Sequence, residues 1–516
     1  MPVTTLDRPF IAELDRDITS TSGDTLPVIA PFTGAVLHDL PVSSRQDVRD
    51  AYSRARLAQL AWSRAGFARR RAILLRAHDL ILQRRELLLD AVQSETGKTR
   101  GQAFEEVFQA ASVTRYNALS ARRVLRGGRR RSAIPLVVAT RVHYRPKGVA
   151  GIITPWNFPL SLAAMDVVPA LAAGCGVVQK ADNQGTLSIL ALRRAFIDAG
   201  VPAGLWAVVT GDGLAIGGAV TNEADYICFT GSTATGRRVA LQAAENLTGA
   251  SLELGGNNPL IVLDDVDPEK AAADAAYACF SSMGQLCVSI ERIYVERGVA
   301  ADFLRAFVDR ARALTLGAGF DYTADVGSLT SQNQLDRVAA HVSDAVAKGA
   351  TVAAGGKPRP DLGPFFFEPT VLIGVTPEMD CFASETFGPV VAVSVVDSEE
   401  EAILVANDSD YGLNASVFSG AARRGTRVAG ALQAGSVNVN EGYRGSFSSV
   451  DAPMGGVKQS GLGRRNGPEG LLRFVNPVTI SQATGLLQLP RSGREFARLA
   501  GPLLLLAVVL KAIRRR

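Results

Sequence analysis

The sequence predicts an α/β fold with more than one domain, and three observations predict it. The chain has 516 residues, more than one hydrophobic core accommodates. Hydrophobic residues make up 47% and charged residues 20%, the balance of a globular chain rather than a disordered one. From Gly148 onward, short apolar runs alternate with segments of helical periodicity. That rhythm belongs to a mostly parallel sheet with helices on both faces.

In chain order, residues 1–25 are polar and rich in Ser, Thr and Asp, and are expected to form a loose arm. Apolar and charged residues recur at helical spacing over 47–93, which reads as a pair of amphipathic helices, and again over 105–124. The character changes at 132–145, where Ile134, Leu136, Val137, Val138, Val142 and Tyr144 suggest the strands of a hairpin-like arm. Strands are then expected at 148–154, 176–180, 205–210 and 226–229, and helices at 160–173, 187–199 and 235–244. A second series runs over 259–440, with helices near 268–280, 300–313, 331–348 and 399–406. The domain boundary is placed near Leu254-Gly255-Gly256. The tail holds an apolar run, 502–510, then Lys511 and Arg514-Arg515-Arg516. This run is far short of the roughly 20 residues a spanning helix needs. A helix packed on the body is expected, with an interfacial helix on anionic headgroups as the alternative.

Composition excludes several functions. The net charge of +5 is modest, and the runs Arg69-Arg70-Arg71 and Arg129-Arg130-Arg131 read as solvated faces. A nucleic-acid role would need a sustained basic patch with a recognition motif, and neither is present. The five cysteines (Cys175, Cys228, Cys279, Cys287 and Cys381) are odd in number and lack CxxC spacing. This argues for a reducing, cytoplasmic setting without a disulfide framework or a metal site. The N-terminus shows no secretory pattern.

Six stretches carry chemistry. Cys287 follows a Gly-Gln break between a helical and a strand-like segment, where a loop presents a thiol to a cleft. The competing reading is a small buried apolar residue. Thr154-Pro155-Trp156-Asn157-Phe158-Pro159 follows a strand, and its two prolines fix the backbone around an amide donor; an ordinary turn competes. Lys180 ends a predicted parallel strand, where such sheets bind ligands. Gly231-Ser232 sits between a strand and a helix, the arrangement that binds anions through backbone N–H groups and the helix dipole. The Gly211-Asp212-Gly213 stretch has the wrong spacing for a dinucleotide fingerprint and reads as a turn. Glu253 lies between two leucines and before Gly255-Gly256, a candidate desolvated carboxylate and general base; a salt-bridged Glu competes. Glu385-Thr386-Phe387-Gly388-Pro389 joins an acid that can bind hydroxyls to a ring that can wall off a flat group.

With all six in this order, over roughly 31–478, the chain resembles the aldehyde dehydrogenase superfamily, and within it the actinobacterial succinate-semialdehyde dehydrogenases. Cys279-Phe280-Ser281, Gly284-Gln285-Leu286-Cys287 and Tyr411-Gly412-Leu413-Asn414 add to the likeness. The resemblance implies a Rossmann-like parallel-sheet cofactor domain (31–129 and 148–254) and an α/β catalytic domain (255–440). A small β oligomerisation arm (130–147 and 465–485) completes the fold, with an N-terminal arm at 1–30 and an apolar, basic tail at 486–516. It implies that Cys287 attacks the aldehyde, that Asn157 and the Cys287 N–H hold the oxyanion, and that Glu253 activates water to hydrolyse the thioester. Lys180 and Glu385 would hold the cofactor's riboses, Gly231 and Ser232 its diphosphate, and Phe387 would flank the nicotinamide, with Thr154, Pro155 and Trp156 beside it. Arm strands imply a homodimer or homotetramer.

The departures from the family pattern matter. Where relatives commonly carry Pro, a small residue and Glu after the Lys, Ala181, Asp182 and Asn183 stand here. A neutral Asn183 removes the repulsion of a 2′-phosphate, favouring NADP while leaving NAD open. Many relatives have Gly-Arg-Glu where Gly463-Arg464-Arg465 stands. Well-known succinate-semialdehyde enzymes carry arginines where Met165 and Ser281 stand, and a carboxylated substrate wants a cation. Arg444 and Ser448 are the candidate replacements. The expected activity is oxidation of succinic semialdehyde. The alternatives are oxidation of uncharged aromatic or aliphatic aldehydes, among which a long-chain substrate would make weak membrane contact through the tail useful, or a catalytically silent relative.

Overall fold

The computed structural model describes residues 3–134, 137–485 and 489–513. Leu136 and Arg514-Arg515-Arg516 lie outside the described residues. Two parallel sheets form the body. The six-stranded sheet has the order Gly461–Leu462, Gly249–Glu253, Tyr226–Thr230, Val149–Ile153, Gly176–Lys180, Trp206–Val209, and only its first pair is antiparallel. The chain builds outward from Val149–Ile153 in one direction, then returns to build on its other side. The switch point therefore lies between Val149–Ile153 and Tyr226–Thr230, where open α/β sheets bind ligands. The seven-stranded sheet has the order Thr351–Ala354, Thr370–Ile373, Val390–Val396, Ile290–Glu296, Asn258–Val262, Asn414–Phe418, Ser436–Val439, parallel except for its first pair. Residues 254–257 join Gly249–Glu253 directly to Asn258–Val262. The C-terminal edge of one sheet thus faces the N-terminal edge of the other.

The arm is an antiparallel sheet in which Val138–Pro146 pairs with Gly128–Arg130 on one side and Val475–Ala483 on the other. Alternation of β-branched and charged residues in Val138–Pro146 suits a sheet open to solvent on both faces.

Four expectations need correction. Residues 1–25 are not a loose arm: Arg8–Asp15 is a helix that buries Ile11 and Leu14, and Ile18 bridges to Val208. The apolar pair at i,i+3 was hidden by its polar surroundings. Residues 47–93 form three helices, Arg45–Arg64, Gly66–Gln83 and Arg85–Thr96, rather than two. The first break falls at Gly66, whose φ of +71° a non-glycine residue adopts only under strain. Gly211 makes the expected turn, but Asp212 then caps a helix, Gly213–Glu223, by accepting from Leu214 N. Its glycines lower helix propensity, and the burial of Ile216 and Val220 overrides them. Finally, the tail forms a helix, Gly493–Ala512, that is not packed on the body: no residue of it is buried.

Two buried glutamates fix the helix layer of the six-stranded sheet. Glu95 accepts from Leu187 N at 2.6 Å and Ser188 N at 2.8 Å, at the start of helix Thr186–Ala199. Glu106 accepts from Leu160 N at 3.0 Å and Ser161 N at 3.1 Å, at the start of helix Pro159–Ala173, while its other oxygen pairs with Lys98. Each carboxylate satisfies N–H groups that a helix start leaves open. The helix that follows Asn157 is thereby held in place.

Candidate active site

A cavity of about 180 Å³ opens where the two sheet edges meet. From the six-stranded sheet it is lined by Pro155, Trp156, Asn157, Gly231, Ser232 and Glu253. From the seven-stranded side come Cys287, Glu385 and Phe387. The switch-point loops supply the first set, because Pro155 to Asn157 follow Val149–Ile153 and Gly231 follows Tyr226–Thr230.

Cys287 owes its place to a strained turn. Helix Pro268–Phe280 ends, and Ser282, Met283 and Gly284 take φ of 51°, 57° and 65°. At Gly284 a Cβ would lie 2.0 Å from the Gly388 carbonyl oxygen, so the turn requires glycine there. The backbone after the turn is pinned: Asn258 Nδ2 donates to the carbonyls of Cys287 at 2.8 Å and Ser289 at 2.6 Å, and Asn414 Nδ2 to that of Val288 at 2.9 Å. Cys287 is half-buried, whereas the other four cysteines are buried, and all five are free. Burial raises its thiol to about 12, Glu385 and Glu253 add to the rise, and Arg465 opposes it. The resting group is a thiol, so attack requires a base to take its proton.

Asn157 is buried, and its Nδ2 donates one hydrogen bond to the Gln285 carbonyl at 2.9 Å. The amide thereby bridges its own loop to the Cys287 turn and retains a second N–H.

Glu253 is buried at the end of its strand, and its Oε1 has no hydrogen-bond partner among the described residues. The nearest cation is Arg465, whose equally unpartnered Nε stands 3.8 Å from that oxygen. Arg465 is fixed from behind: its Nη2 donates to Thr230 Oγ1 at 2.6 Å and to Asp166 Oδ2 at 3.2 Å. Asp166 Oδ1 in turn accepts from Arg473 at 2.6 Å. Burial lifts the Glu253 carboxyl to about 7; Arg465, Arg473 and Arg464 pull it down and Asp166 pushes it up. A carboxyl titrating there suits general-base work near neutral pH. Arg465 entered the sequence reading only as a missing Glu, yet it stands against the base.

The 385–388 loop is held by Glu291, which accepts from Thr386 N at 2.7 Å and Phe387 N at 2.9 Å. Phe387 takes a φ of 57°, and its ring meets Trp156 edge-on at 5.7 Å, so two perpendicular aromatic rings line the cavity. Glu385 Oε1 accepts from Gly256 N at 2.8 Å, and a Cβ at Gly255 would lie 2.4 Å from its Oε2. The two glycines thus let a backbone and an acid approach closely. Burial lifts Glu385 to about 7. Sequence reasoning missed further lining residues, among them Gln334 and Arg337. Gln334 donates to the Phe387 carbonyl at 2.6 Å, and Arg337 to that of Glu385. Both lie on Gln332–Ala347, whose amphipathic pattern gave no sign of them.

Thr154, Lys180 and Asn183 are not among the residues that line this cavity. Thr154 is buried and ties neighbouring strand ends together: its N–H donates to the Lys180 carbonyl, and its carbonyl accepts from Asp182 N. Lys180 is buried at its strand end, where burial lowers its ammonium and Asp182 and Asp212 oppose that shift. Asn183 Oδ1 accepts from Gly211 N at 2.9 Å.

The candidate substrate residues stand apart from the lining. Arg444 and Ser448 lie on the short helix Arg444–Ser448. The Arg444 guanidinium pairs with Glu441 at 3.2 Å and covers the Tyr277 ring at 4.1 Å. Ser448 Oγ donates to the Arg444 carbonyl at 2.6 Å. Both side chains are used locally. Met165 is fully buried, and Ser281 donates to the Tyr277 carbonyl.

The profile of the aldehyde dehydrogenase family matches residues 18–480. A Mycolicibacterium smegmatis protein provisionally named an NADP(+) succinate-semialdehyde dehydrogenase is 49% identical over 455 residues, 88% of each chain. A mitochondrial succinate-semialdehyde dehydrogenase of Oryza sativa subsp. japonica is 38% identical over 458 residues, covering 88% of this chain and 85% of that one. Among solved structures, a Staphylococcus aureus betaine aldehyde dehydrogenase in complex with NAD+ matches with a TM-score of 0.87 and 34% identity, over 92% of this chain and 94% of that one.

Proposed function

Because the chain belongs to the aldehyde dehydrogenase family, we propose that it oxidises succinic semialdehyde to the dicarboxylic acid with NADP, using Cys287 as nucleophile and Glu253 as base. The observation that carries the reading is the convergence of Cys287, Asn157 and an unpartnered Glu253 oxygen on one cavity.

The cavity's other residues fit a nicotinamide dinucleotide. Ser232 caps helix Thr233–Glu245, whose N-terminus suits a diphosphate. Trp156 and Phe387 offer aromatic surface to a ring, and Glu385 an acceptor for hydroxyls. The bound nicotinamide supplies the hydride acceptor. NADP is favoured by the neutral Asn183 and by the name of the mycobacterial relative; NAD remains compatible.

The chain's own residues do the rest. Glu253, poised near 7, takes the thiol proton as Cys287 Sγ bonds to the aldehyde carbon. The second Asn157 N–H and the Cys287 backbone N–H hold the developing oxyanion. Once the carbon is oxidised to a thioester and Glu253 has released the first proton to solvent, Glu253 takes a proton from water, hydroxide adds to the carbonyl, and the thiolate leaves and recovers that proton from Glu253. In the same reading, 31–129 and 148–254 serve the cofactor and 255–440 the chemistry. The arm joins copies into a homodimer or homotetramer in the cytoplasm, in keeping with five free cysteines.

NADPH and NADH formation by the purified chain with succinic semialdehyde, hexanal and benzaldehyde tests this. The highest kcat/KM is expected for succinic semialdehyde with NADP. A preference for either uncharged aldehyde overturns the substrate, and no reduction with any of the three overturns the activity.

A further inference from the structure

The helix Gly493–Ala512 is, among the described residues, the one long helix that buries nothing. Phe496, Leu504, Leu505, Val508 and Ile513 are each more than half exposed. It is nevertheless a built helix: Ser492 caps it by accepting from Glu495 N, and Glu495 accepts in return from Arg491 N at 2.6 Å. Its side-chain hydrogen bonds, among the described residues, stay within residues 491–495. Over 503–510 the residues are apolar on every face. A helix that is apolar all round needs an apolar medium about it rather than one partner along a seam.

Charge identifies the medium. Residues 491–516 carry seven basic side chains and one acidic, a net +6, against +5 for the whole chain. Residues 1–490 are therefore near neutral at −1, and the entire excess of positive charge sits with the exposed helix. Arg491, Arg494 and Arg498 precede the apolar run, and Lys511 and Arg514-Arg515-Arg516 follow it. The run 499–510 is about 18 Å long at the helical rise of roughly 1.5 Å per residue. The hydrocarbon core of a bilayer is about 30 Å thick. No described helix is long and apolar enough to cross a membrane. Cations at both ends and a run this short place the helix in the plane of a surface, with its apolar side chains below the headgroups.

We propose that the helix Gly493–Ala512, with the basic residues that flank it in the sequence, docks the protein on an anionic phospholipid surface as an interfacial helix. Packing against a second copy is disfavoured by the same charges, since it would bring two +6 segments together. An anionic surface attracts both halves of the segment, the basic ends by charge and the apolar run by burial.

Flotation of the full chain with vesicles tests the proposal. The chain is expected to float with phosphatidylglycerol/phosphatidylcholine vesicles at low salt, and at least tenfold less with pure phosphatidylcholine or in 0.5 M NaCl, about which concentration screening is nearly complete. Leu504→Asp/Val508→Asp should abolish flotation. Arg514→Glu/Arg515→Glu/Arg516→Glu should weaken it tenfold or more, with both melting temperatures kept as a check on folding. Should the aspartate variant fail to fold, the charge reversal carries the test alone. Absence of flotation on anionic vesicles, or equal flotation on neutral ones, overturns the proposal. So does a drop in the assembled mass of either variant by light scattering, which would show that the helix covers another copy.

Discussion

Glu106 and Glu253 are both buried, and they are treated in opposite ways. Every direction around Glu106 is answered: Lys98 on one oxygen, and the N–H groups of Leu160 and Ser161 on the other. Glu253 keeps an oxygen without a partner and faces an arginine held just beyond hydrogen-bond reach at 3.8 Å. A saturated buried carboxylate stabilises a fold, because leaving its partners unanswered is costly. A buried carboxylate left open costs stability and gains reactivity, the exchange expected at a site of chemistry. The same residue type thus marks scaffold in the helix layer and function at the sheet edge.

The comparison breaks most visibly through Cys287 and Glu253. Cys287→Ala should lower aldehyde-dependent NADPH formation by at least about a thousandfold, because no other half-buried thiol faces the cavity. Glu253→Gln should lower kcat by about 10²–10⁴-fold. The stability of this variant should move the other way. The folded pKa of Glu253, about 7, lies above its ordinary 4.5. Between those values the folded chain holds more protons than the unfolded one, so wild-type stability at this site falls as pH rises through that window. Glu253→Gln escapes the loss and should match the wild type at pH 5 but exceed it by about 1–3 kcal/mol at pH 8. Glu106→Gln should instead destabilise by about 3–5 kcal/mol, since it strands Lys98 in the interior. Chemical denaturation at the two pH values reads all three. A Glu253→Gln variant as unstable as Glu106→Gln at pH 8 would make both residues scaffold.

A smaller effect sharpens the same contrast. Activity should rise with pH through about 7 as Glu253 loses its proton. Arg465 favours the charged form, with Arg473 and Arg464 assisting and Asp166 opposing. Arg465→Met should therefore move the acid limb of the kcat/KM profile upward by about one pH unit. An unmoved limb would mean that Arg465 only fills space behind Thr230 and Asp166.

The legibility of this site in the sequence follows from how each residue is held. Cys287, Asn157 and Glu253 sit in short stretches where glycine, proline and flanking leucines announce unusual backbone and burial, and one cavity brings them together. Arg465 acts across a long gap in sequence through Asp166 and Thr230, and no local pattern encodes that contact. Gln334 and Arg337 reach the cavity from an ordinary amphipathic helix, where polar residues read as solvent-facing. The alternating elements were readable because apolar periodicity records burial. The short helices Arg8–Asp15 and Gly213–Glu223 were not, because too few residues, or too many glycines, carry the pattern.

Arg444 gives the smallest expected effect and the sharpest boundary to the active region. With Met165 and Ser281 where relatives carry arginines, the sequence pointed to Arg444 as the cation for a carboxylated substrate. The structure gives that cation other work: Glu441 neutralises it at 3.2 Å, and the Tyr277 ring lies beneath it at 4.1 Å. Tyr277 and Tyr443 both donate to Glu105, which makes this corner a packed polar cluster beside the site rather than a lining of it. A half-exposed ion pair with ring stacking contributes about 1 kcal/mol or less. Arg444→Ala should accordingly leave KM for succinic semialdehyde within about twofold, an energy of roughly 0.4 kcal/mol, and lower stability only slightly. A tenfold rise in KM for succinic semialdehyde with none for hexanal would show that Arg444 leaves Glu441 to meet a substrate carboxylate, and would extend the active region across this corner.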